Sequence, residues 1–374
     1  YYQSFALGFY EYFLLCEDIG AAPLPILNCG MACQFNSGEL APLDQLDPYI
    51  QDALDLIEFA NGPVTSTWGR RRADMGHPKP FQLKMLGIGN EQWGPQYIER
   101  YERFAKVLKA RHPEIQLISS AGPDPDGEKF NFLWPKLRAL NADLVDEHYY
   151  RPPQWFFDQA NRYDRYDRHG PKVFAGEYAA QSVRVVSPDN RNNWLCALAE
   201  AAMMTGFERN ADVVRLASYA PLFAHVEGWQ WTPNLIWFDN LRVFGTPNYY
   251  VQQLFSRNRG DAVLPVSLSA SGAAPGKTNL FASATRDEKA GQIIVKVVNR
   301  SGEPAPLAIK LAGASKVSAK AQATILSAGK LTDENSLDQP QQIAPVTKTI
   351  SAMAPEFIYN FPPQSLTIMR IKAK

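Results

Sequence analysis

The sequence predicts an α/β fold, a (β/α)₈ barrel followed by an antiparallel β-sandwich. Over the first two thirds of the chain, short apolar runs alternate with amphipathic helical patterns, which is typical of a parallel sheet. Several of these runs end in polar or ionisable residues, and a barrel collects functional groups from many strand ends on one face. After Trp237 there is no further tryptophan, and the pattern changes to short strands and turns. The alternation alone also fits a doubly wound sheet, but the polar strand ends favour the barrel.

Six apolar runs are the predicted strands of the barrel. They are Leu24–Leu27, Lys84–Gly89, Ile115–Ser119, Leu144–His148, Val173–Glu177 and Arg215–Tyr219. The polar groups that follow or end four of them are Asn28, Asn90 with Glu91, Glu147 with His148, and Glu177. We expect residues 1–258 to form this barrel domain and residues 259–374 to form the sandwich, with strands at Leu280–Ala284, Gln292–Val298 and Leu366–Lys372.

The helices between these strands follow from capping signals and apolar spacing. Asp47 can cap a helix that has Pro48 at its first position, and Asn61-Gly62 ends it. Further helices are predicted at Tyr97–Ala110, Asn131–Leu140, Asn193–Phe207 and Asn248–Ser256, and an amphipathic helix is predicted within Tyr1–Asp18.

The front of the barrel is expected to be incomplete, because a closed barrel of this class has eight strands and only six are recognised. The chain begins without a methionine, so we expect two strands to precede Tyr1. Their absence would leave unpaired backbone on Leu24–Asn28 and Arg215–Tyr219, so the chain alone is expected to fold poorly and to have little activity. Any targeting signal would also lie in that segment, and a signal peptide there would favour a periplasmic or extracellular location.

Composition excludes several classes of function. The chain has 38 basic and 38 acidic residues, and a net charge of zero argues against nucleic-acid binding. The uncharged run Ile19–Gly38 contains prolines and amides, so no membrane insertion is expected. Four cysteines are too sparse for a disulfide scaffold, and no second pair completes a zinc site with Cys29 and Cys33. The cysteine pattern therefore gives no reason to expect a metal. The glycines of Gly87-Ile88-Gly89 lack the spacing of a dinucleotide-binding loop, so no cofactor is expected either.

Two glutamates, Glu91 and Glu177, are the candidate catalytic residues. They are far apart in the sequence, and a fold that gathers strand ends can bring them together. Hydrolysis of a glycosidic bond uses two carboxyl groups, one that protonates the leaving oxygen and one that attacks the anomeric carbon or activates water. From these residues alone, two unrelated glutamates in exposed loops remain an equal alternative.

Aromatic residues concentrate near the same strand ends. Trp231 lies in the segment Trp229–Asn234, which is bounded by turn-forming residues and reads as a loop. Exposed tryptophan is unfavourable unless it is covered, and the apolar face of a sugar suits an indole ring. We therefore expect Trp93 and Trp231 to contact a carbohydrate.

At this point the sequence resembles the α-L-arabinofuranosidases of glycoside hydrolase family 51. The resemblance spans most of residues 1–258 and is carried by ordered stretches. These are Thr67–Gly69 (TWG), Arg72–Phe81 (RADMGHPKPF), Leu86–Gly94 (LGIGNEQWG), Asp146–Tyr150 (DEHYY), Ala175–Tyr178 (AGEY) and Asn210–Phe223 (NADVVRLASYAPLF).

The resemblance implies a retaining mechanism and a role for each matched residue. Glu91 matches the acid/base at the end of the family's fourth barrel strand, and Glu177 matches the nucleophile of the seventh. Asn90 matches the asparagine that binds a sugar hydroxyl, and His148 and Tyr150 match the pair around the nucleophile. The glutamate and asparagine that the family's first two strands contribute are not in this sequence, and Pro221 stands where some bacterial members have a glutamine.

The implied substrates are plant arabinan and arabinoxylan, or their oligosaccharides, from which terminal α-L-arabinofuranosyl residues are removed. The family also allows a homo-oligomer. Two alternatives stay open: another retaining barrel glycosidase, such as a β-xylosidase or endoglucanase, and an inactive remnant that binds arabinan.

Overall fold

The computed structural model describes residues 6–268, 279–351 and 354–374. The chain divides into two compact units, residues 1–148 with 169–175 and residues 149–168 with 176–374. The first residues of the predicted N-terminal helix, Tyr1–Phe5, lie outside the described ranges. Within those ranges, no helix has both the length and the apolar character that crossing a membrane requires.

The first unit is built from parallel strands and helices that alternate along the chain. Its elements are α1 (Phe9–Ile19), β1 (Ile26–Leu27), a 3₁₀ turn (Leu43–Gln45), α2 (Asp47–Asn61), α3 (Thr67–Asp74), β2 (Met85–Ile88), α4 (Pro95–Arg111), β3 (Gln116–Ser120) and α5 (Gly127–Ala139), with the first parts of β4 (Leu144–Arg151) and β5 (Lys172–Ala180). Strands β1 to β4 pair in parallel, with Ile88 opposite Leu27 on one side and opposite Ser119 on the other. Because successive parallel strands end at the same edge of a sheet, the residues after β2 and β3 lie at that edge.

The second unit continues β4 and β5 and then carries the rest of the chain. Its elements are α6 (Pro153–Asp158), a 3₁₀ turn (Arg162–Arg165), α7 (Trp194–Arg209), β6 (Val214–Tyr219), β7 (Phe223–His225), β8 (Ile236–Phe238), β9 (Val243–Gly245), α8 (Pro247–Arg257), β10 (Ala262–Leu264), β11 (Leu280–Asp287), β12 (Gln292–Asn299), β13 (Ala305–Lys310), β14 (Lys320–Ser327), β15 (Val346–Ser351), β16 (Glu356–Phe361) and β17 (Ser365–Lys372). The strands β1 to β6 follow one another in sheet order, so β4 and β5 belong to both units.

The C-terminal strands form antiparallel sheets, as the sequence predicts. The larger sheet has the order β10-β11-β12-β17-β14-β15, and β13 pairs with β16 in a second sheet. Side chains on alternate positions of these strands, such as Val295, Val297 and Met369, fill a common core with Phe361. All three strands expected here are present, and each extends beyond its predicted limits.

Helix α7 is buried on nearly all its faces. Asn193 caps its N-terminus by accepting the Cys196 N–H, at 3.1 Å. A Cβ at Gly206 would lie 2.1 Å from the Ala160 carbonyl oxygen, so only glycine allows this close approach. At its C-terminal end, Glu208 forms an ion pair with the fully buried Lys296 of β12. The helix therefore packs directly on the antiparallel sheet of its own unit.

The predicted elements differ from the observed ones mainly at their boundaries. Helix α2 begins at Asp47 rather than being capped by it, because the preceding 3₁₀ turn leads into the helix through the buried Leu46. Strands β4 and β5 run three residues beyond His148 and Glu177. Their extensions are rich in tyrosine, which favours a pleated strand, and the Gln181 N–H continues the pairing by donating to the Arg151 carbonyl, at 2.9 Å.

Candidate functional site

Glu91 lies on a sharp turn just after β2. Gly89 and Glu91 both have positive φ angles, 75° and 59°. The glutamate conformation is unfavourable for a residue with a side chain and persists only where its surroundings hold it. Here the side-chain oxygen of the buried Gln92 accepts the Asn90 N–H, which fixes the backbone immediately before Glu91. The turn therefore fixes the backbone position from which the Glu91 side chain extends.

The carboxyl group of Glu91 is hydrogen-bonded to a buried imidazole. Nδ1 of His148 lies 2.8 Å from Oε1 of Glu91, and Nε2 lies 3.1 Å from Oδ2 of Asp146. The His148 side chain is only 2% exposed, whereas that of Glu91 is 22% exposed. A neutral imidazole has one N–H, so it can donate to only one of these two carboxyl groups at a time. Glu91 is therefore hydrogen-bonded to a buried imidazole and still reaches solvent.

The backbone of Trp93 is clamped by a side chain from the loop after β1. The Gln34 amide accepts the Trp93 N–H at 2.8 Å and donates to the Trp93 carbonyl at 3.2 Å. The Phe35 ring packs 5.0 Å from the indole, and Nζ of Lys129 lies 4.0 Å from its centre. Sequence reasoning selected Trp93 but missed these three partners, because nothing local in the sequence indicates which distant loops meet there.

In the second unit, Glu177 receives a hydrogen bond from a tyrosine. The Tyr150 hydroxyl donates to Oε2 of Glu177, at 2.7 Å. The Trp231 ring meets the Tyr150 ring edge to face, with 5.3 Å between their centres. The indole nitrogen of Trp231 is buried and has no hydrogen-bond partner among the described residues. A hydroxyl donor stabilises the ionised form of a carboxyl group, so the Glu177 environment favours a carboxylate.

A polar network behind β5 holds the loop that carries Trp231. The fully buried Glu200 of α7 accepts the Ala180 N–H and the Asn248 amide, each at 2.8 Å. Asn192 donates to Asn248 and accepts the Asn234 N–H. The sequence did not reveal this place of Glu200 in the network, since a glutamate inside an apolar helix carries no recognisable motif.

We expect Tyr150→Phe to lower kcat/KM by about tenfold or more, the usual cost of losing a hydrogen bond to a charged group. The acidic limb of the pH–rate profile should move to higher pH, because Glu177 loses a donor that stabilises its ionised form. A uniform loss at every pH would contradict this role. Tyr359→Phe, in the C-terminal sheet, is the matched control and should change neither quantity.

Glu200 should make the stability of the protein fall as the pH rises. Burial raises the pKa of its carboxyl group from 4.5 to about 8. Between those values the unfolded chain binds fewer protons than the folded one, so the free energy of unfolding decreases, by on the order of 5 kcal/mol in total. The contribution of Glu200 to the free energy of unfolding should not change with pH below about 4.5 or above about 8. Denaturant unfolding across this range should show the decline, and Glu200→Gln should remove most of it.

A parallel βα sheet that carries a carboxyl–imidazole pair after one strand and a tyrosine-bound carboxylate in another is typical of βα-barrel glycoside hydrolases. Residues 1–168 match the family model described as "Alpha-L-arabinofuranosidase 1 domain", and residues 176–365 match "Alpha-L-arabinofuranosidase C-terminal domain". The chain therefore belongs to the α-L-arabinofuranosidases of glycoside hydrolase family 51, and the fold class expected from its sequence is confirmed.

Individual relatives agree with this assignment. An extracellular exo-α-L-arabinofuranosidase of Streptomyces chartreusis is 49% identical over 271 residues, which cover 71% of this chain and 31% of that protein. α-L-Arabinofuranosidase 1 of Arabidopsis thaliana is 34% identical over 375 residues, covering 98% and 52%. The chain thus spans about a third of the first relative and about half of the second.

Solved structures give the same result. The structure titled as arabinose-bound MgGH51 α-L-arabinofuranosidase matches with a TM-score of 0.87 at 33% identity, over 97% of this chain and 57% of that one. An arabinofuranosidase from Thermotoga maritima in complex with arabinose matches with a TM-score of 0.77 over 98% of this chain and 78% of that one. At 19% identity, this second likeness shows the fold alone.

Proposed function

We propose that this chain supplies the catalytic carboxyl groups of a retaining glycoside hydrolase that removes terminal α-L-arabinofuranosyl residues from arabinan, arabinoxylan or their oligosaccharides. Glu177 is the nucleophile and Glu91 is the acid/base. The observation that supports these roles most directly is the difference between the two environments. Glu91 is hydrogen-bonded to a buried imidazole, whereas Glu177 accepts a hydrogen bond from a tyrosine hydroxyl.

The proposed reaction has two steps. Glu177 attacks the anomeric carbon and forms a glycosyl ester, while Glu91 transfers its proton to the departing glycosidic oxygen. Glu91 then accepts a proton from water, which attacks the same carbon and releases the sugar with its configuration retained. This chemistry places the two carboxyl groups roughly 5–5.5 Å apart in the substrate-binding state.

His148 is proposed to position the carboxyl group of Glu91. Its hydrogen bond to Asp146 orients the imidazole, and its other nitrogen faces Glu91. Asn90 and Trp93, which flank Glu91 in sequence, are proposed to contact the sugar near the acid, and Trp231 is proposed to contact it near the nucleophile.

The C-terminal strands supply no catalytic group in this proposal. We place the boundary of the barrel domain near residue 258 and assign the antiparallel sheets to residues 259–374. Their larger sheet packs on α7, where Lys296 meets Glu208. An extracellular location is also proposed, because the Streptomyces relative is named as an extracellular enzyme.

A panel of aryl glycosides tests the function. We expect 4-nitrophenyl α-L-arabinofuranoside to be hydrolysed well ahead of the matching β-D-xyloside and β-D-glucoside. Proton NMR of the first product should show the retained anomer. The full-length gene product and residues 1–374 should be assayed side by side, which separates the chemistry of the site from the stability of this chain. Absence of arabinofuranoside hydrolysis by both proteins, or faster hydrolysis of the xyloside, would refute the proposal.

A further inference from the structure

A cavity of about 370 Å³ lies in the second unit, beside the loop that carries Trp231. Residues from three places line it: the segment before α7, the aromatic loop with β8 and β9, and the loop after β14. The lining residues used below are Asn192, Arg191, Trp229, Trp237, Glu334 and Asn335. We call this cavity the Trp229 pocket. None of the residue roles proposed above uses it.

Two indole rings form the apolar part of the Trp229 pocket. The Trp229 and Trp237 rings stand edge to face, with 6.0 Å between their centres and 82° between their planes. Trp237 is fixed by its indole N–H, which donates to the Asn192 side chain at 3.3 Å. Trp229 is 38% exposed, so part of a large apolar ring faces water. Such a surface gains most from a ligand with an apolar face.

The wall around the indoles is held rigidly by buried amides. Asn335 donates to the Gly245 and Ile343 carbonyls and accepts the Ile343 N–H. Asn192 joins the loop of Asn234 to Asn248 of α8. Both amides are at most 5% exposed, so the pocket is built by groups that already have their partners. A preorganised wall lowers the entropic cost of binding a ligand.

The rim of the Trp229 pocket offers both donors and acceptors. Arg191 carries several N–H donors in a planar fork, and Glu334 carries two carboxylate oxygens. Adjacent hydroxyl groups of a sugar both donate and accept, so they can bind to such a pair. Asp338, also in the lining, is paired with Arg242 at 3.1 Å, so its charge is balanced.

We infer that the Trp229 pocket is a subsite for a neutral pentose or hexose unit of a glycan chain, separate from the sugar that is cleaved. Thr232, which lines the pocket, directly follows Trp231, whose ring packs on Tyr150 beside Glu177. A glycan held in the pocket would therefore lie beside the loop whose Trp231 packs on Tyr150, the residue that donates a hydrogen bond to Glu177. The inference rests on the proposed function for the identity of the glycan, but sugar binding in the pocket can be measured without turnover.

Binding should be measured by calorimetry in the full-length protein carrying Glu177→Gln, with 1,5-α-arabinotetraose and 1,4-β-xylotetraose as separate probes. We expect Trp229→Ala to weaken binding of at least one probe by about tenfold, consistent with the loss of one stacked ring. Glu334→Gln, a milder change at an exposed loop residue, should weaken it by several-fold. Trp68→Ala is the matched control, because Trp68 is also 38% exposed and lies on α3.

Kinetics give the second readout. In the otherwise unchanged enzyme, Trp229→Ala should raise KM for polymeric substrate by about tenfold and leave 4-nitrophenyl α-L-arabinofuranoside hydrolysis unchanged, because that substrate has a single sugar. Equal loss on both substrates, or tetrasaccharide binding that is absent or independent of Trp229, would overturn the inference. The two proposals can fail separately. If the proposed function is wrong, arabinofuranoside hydrolysis is absent but sugar binding still depends on Trp229.

Discussion

Glu177→Ala is expected to reduce turnover of 4-nitrophenyl α-L-arabinofuranoside by about 10⁴-fold or more, as removal of a nucleophile commonly does. Both steps depend on this residue, so a good leaving group should not restore activity. Added azide should restore part of the turnover, because a small anion can occupy the space left by the side chain and attack the anomeric carbon directly. The product would be the glycosyl azide of inverted configuration, which NMR identifies.

The control for this experiment is Glu288→Ala, which removes an exposed carboxyl group from the β11–β12 turn and should leave activity intact. An azide product of retained configuration, or residual activity close to wild type, would show that Glu177 is not the nucleophile.

Glu91→Ala should produce a loss that depends on the leaving group. A general acid contributes about 10²–10⁴-fold when the departing oxygen needs a proton. We therefore expect a loss in that range for arabino-oligosaccharides and a much smaller one in the first step for 2,4-dinitrophenyl arabinofuranoside, whose phenolate leaves unaided. With that activated substrate the glycosyl ester should accumulate, since its hydrolysis still needs a base.

A plot of rate against leaving-group acidity separates Glu91 from Glu177. The slope of this plot should be steeper for Glu91→Ala than for the unchanged enzyme. For Glu177→Ala the rate should be lower with every leaving group. If Glu91→Ala lost the same factor on all substrates, the acid assignment would be wrong. Glu114→Ala, at an exposed position before β3, provides a matched carboxyl deletion.

Much of this fold could be predicted because local and global signals agree. All six predicted barrel strands are present as β1 to β6, and the apolar runs of β2 to β5 are largely buried. The helices α3 and α6, the short strands β7 to β10 and the strands β13 to β16 were not predicted individually. The strands β7 to β9 have three residues each, too few to show a period.

The site divides in the same way. Motifs adjacent in the sequence identified Glu91, His148, Tyr150 and Glu177, and the structure places them in two hydrogen-bonded pairs. The clamp on Trp93 and the role of Glu200 were not predictable, because they depend on which distant segments meet. A single sequence without its relatives carries no record of such tertiary contacts.

The burial of α7 has a consequence for the engineering of this chain. The Lys296 ammonium is fully buried against Glu208, and burial lowers its pKa. At the other end of α7, the Trp194 indole donates to the Gln364 carbonyl of the turn before β17, at 2.8 Å. Deleting the C-terminal sheets would leave Glu208 without its cation and would uncover an apolar helix. The C-terminal sheets are therefore not a removable module, and any chimaera that exchanges them must also exchange the facing side of α7.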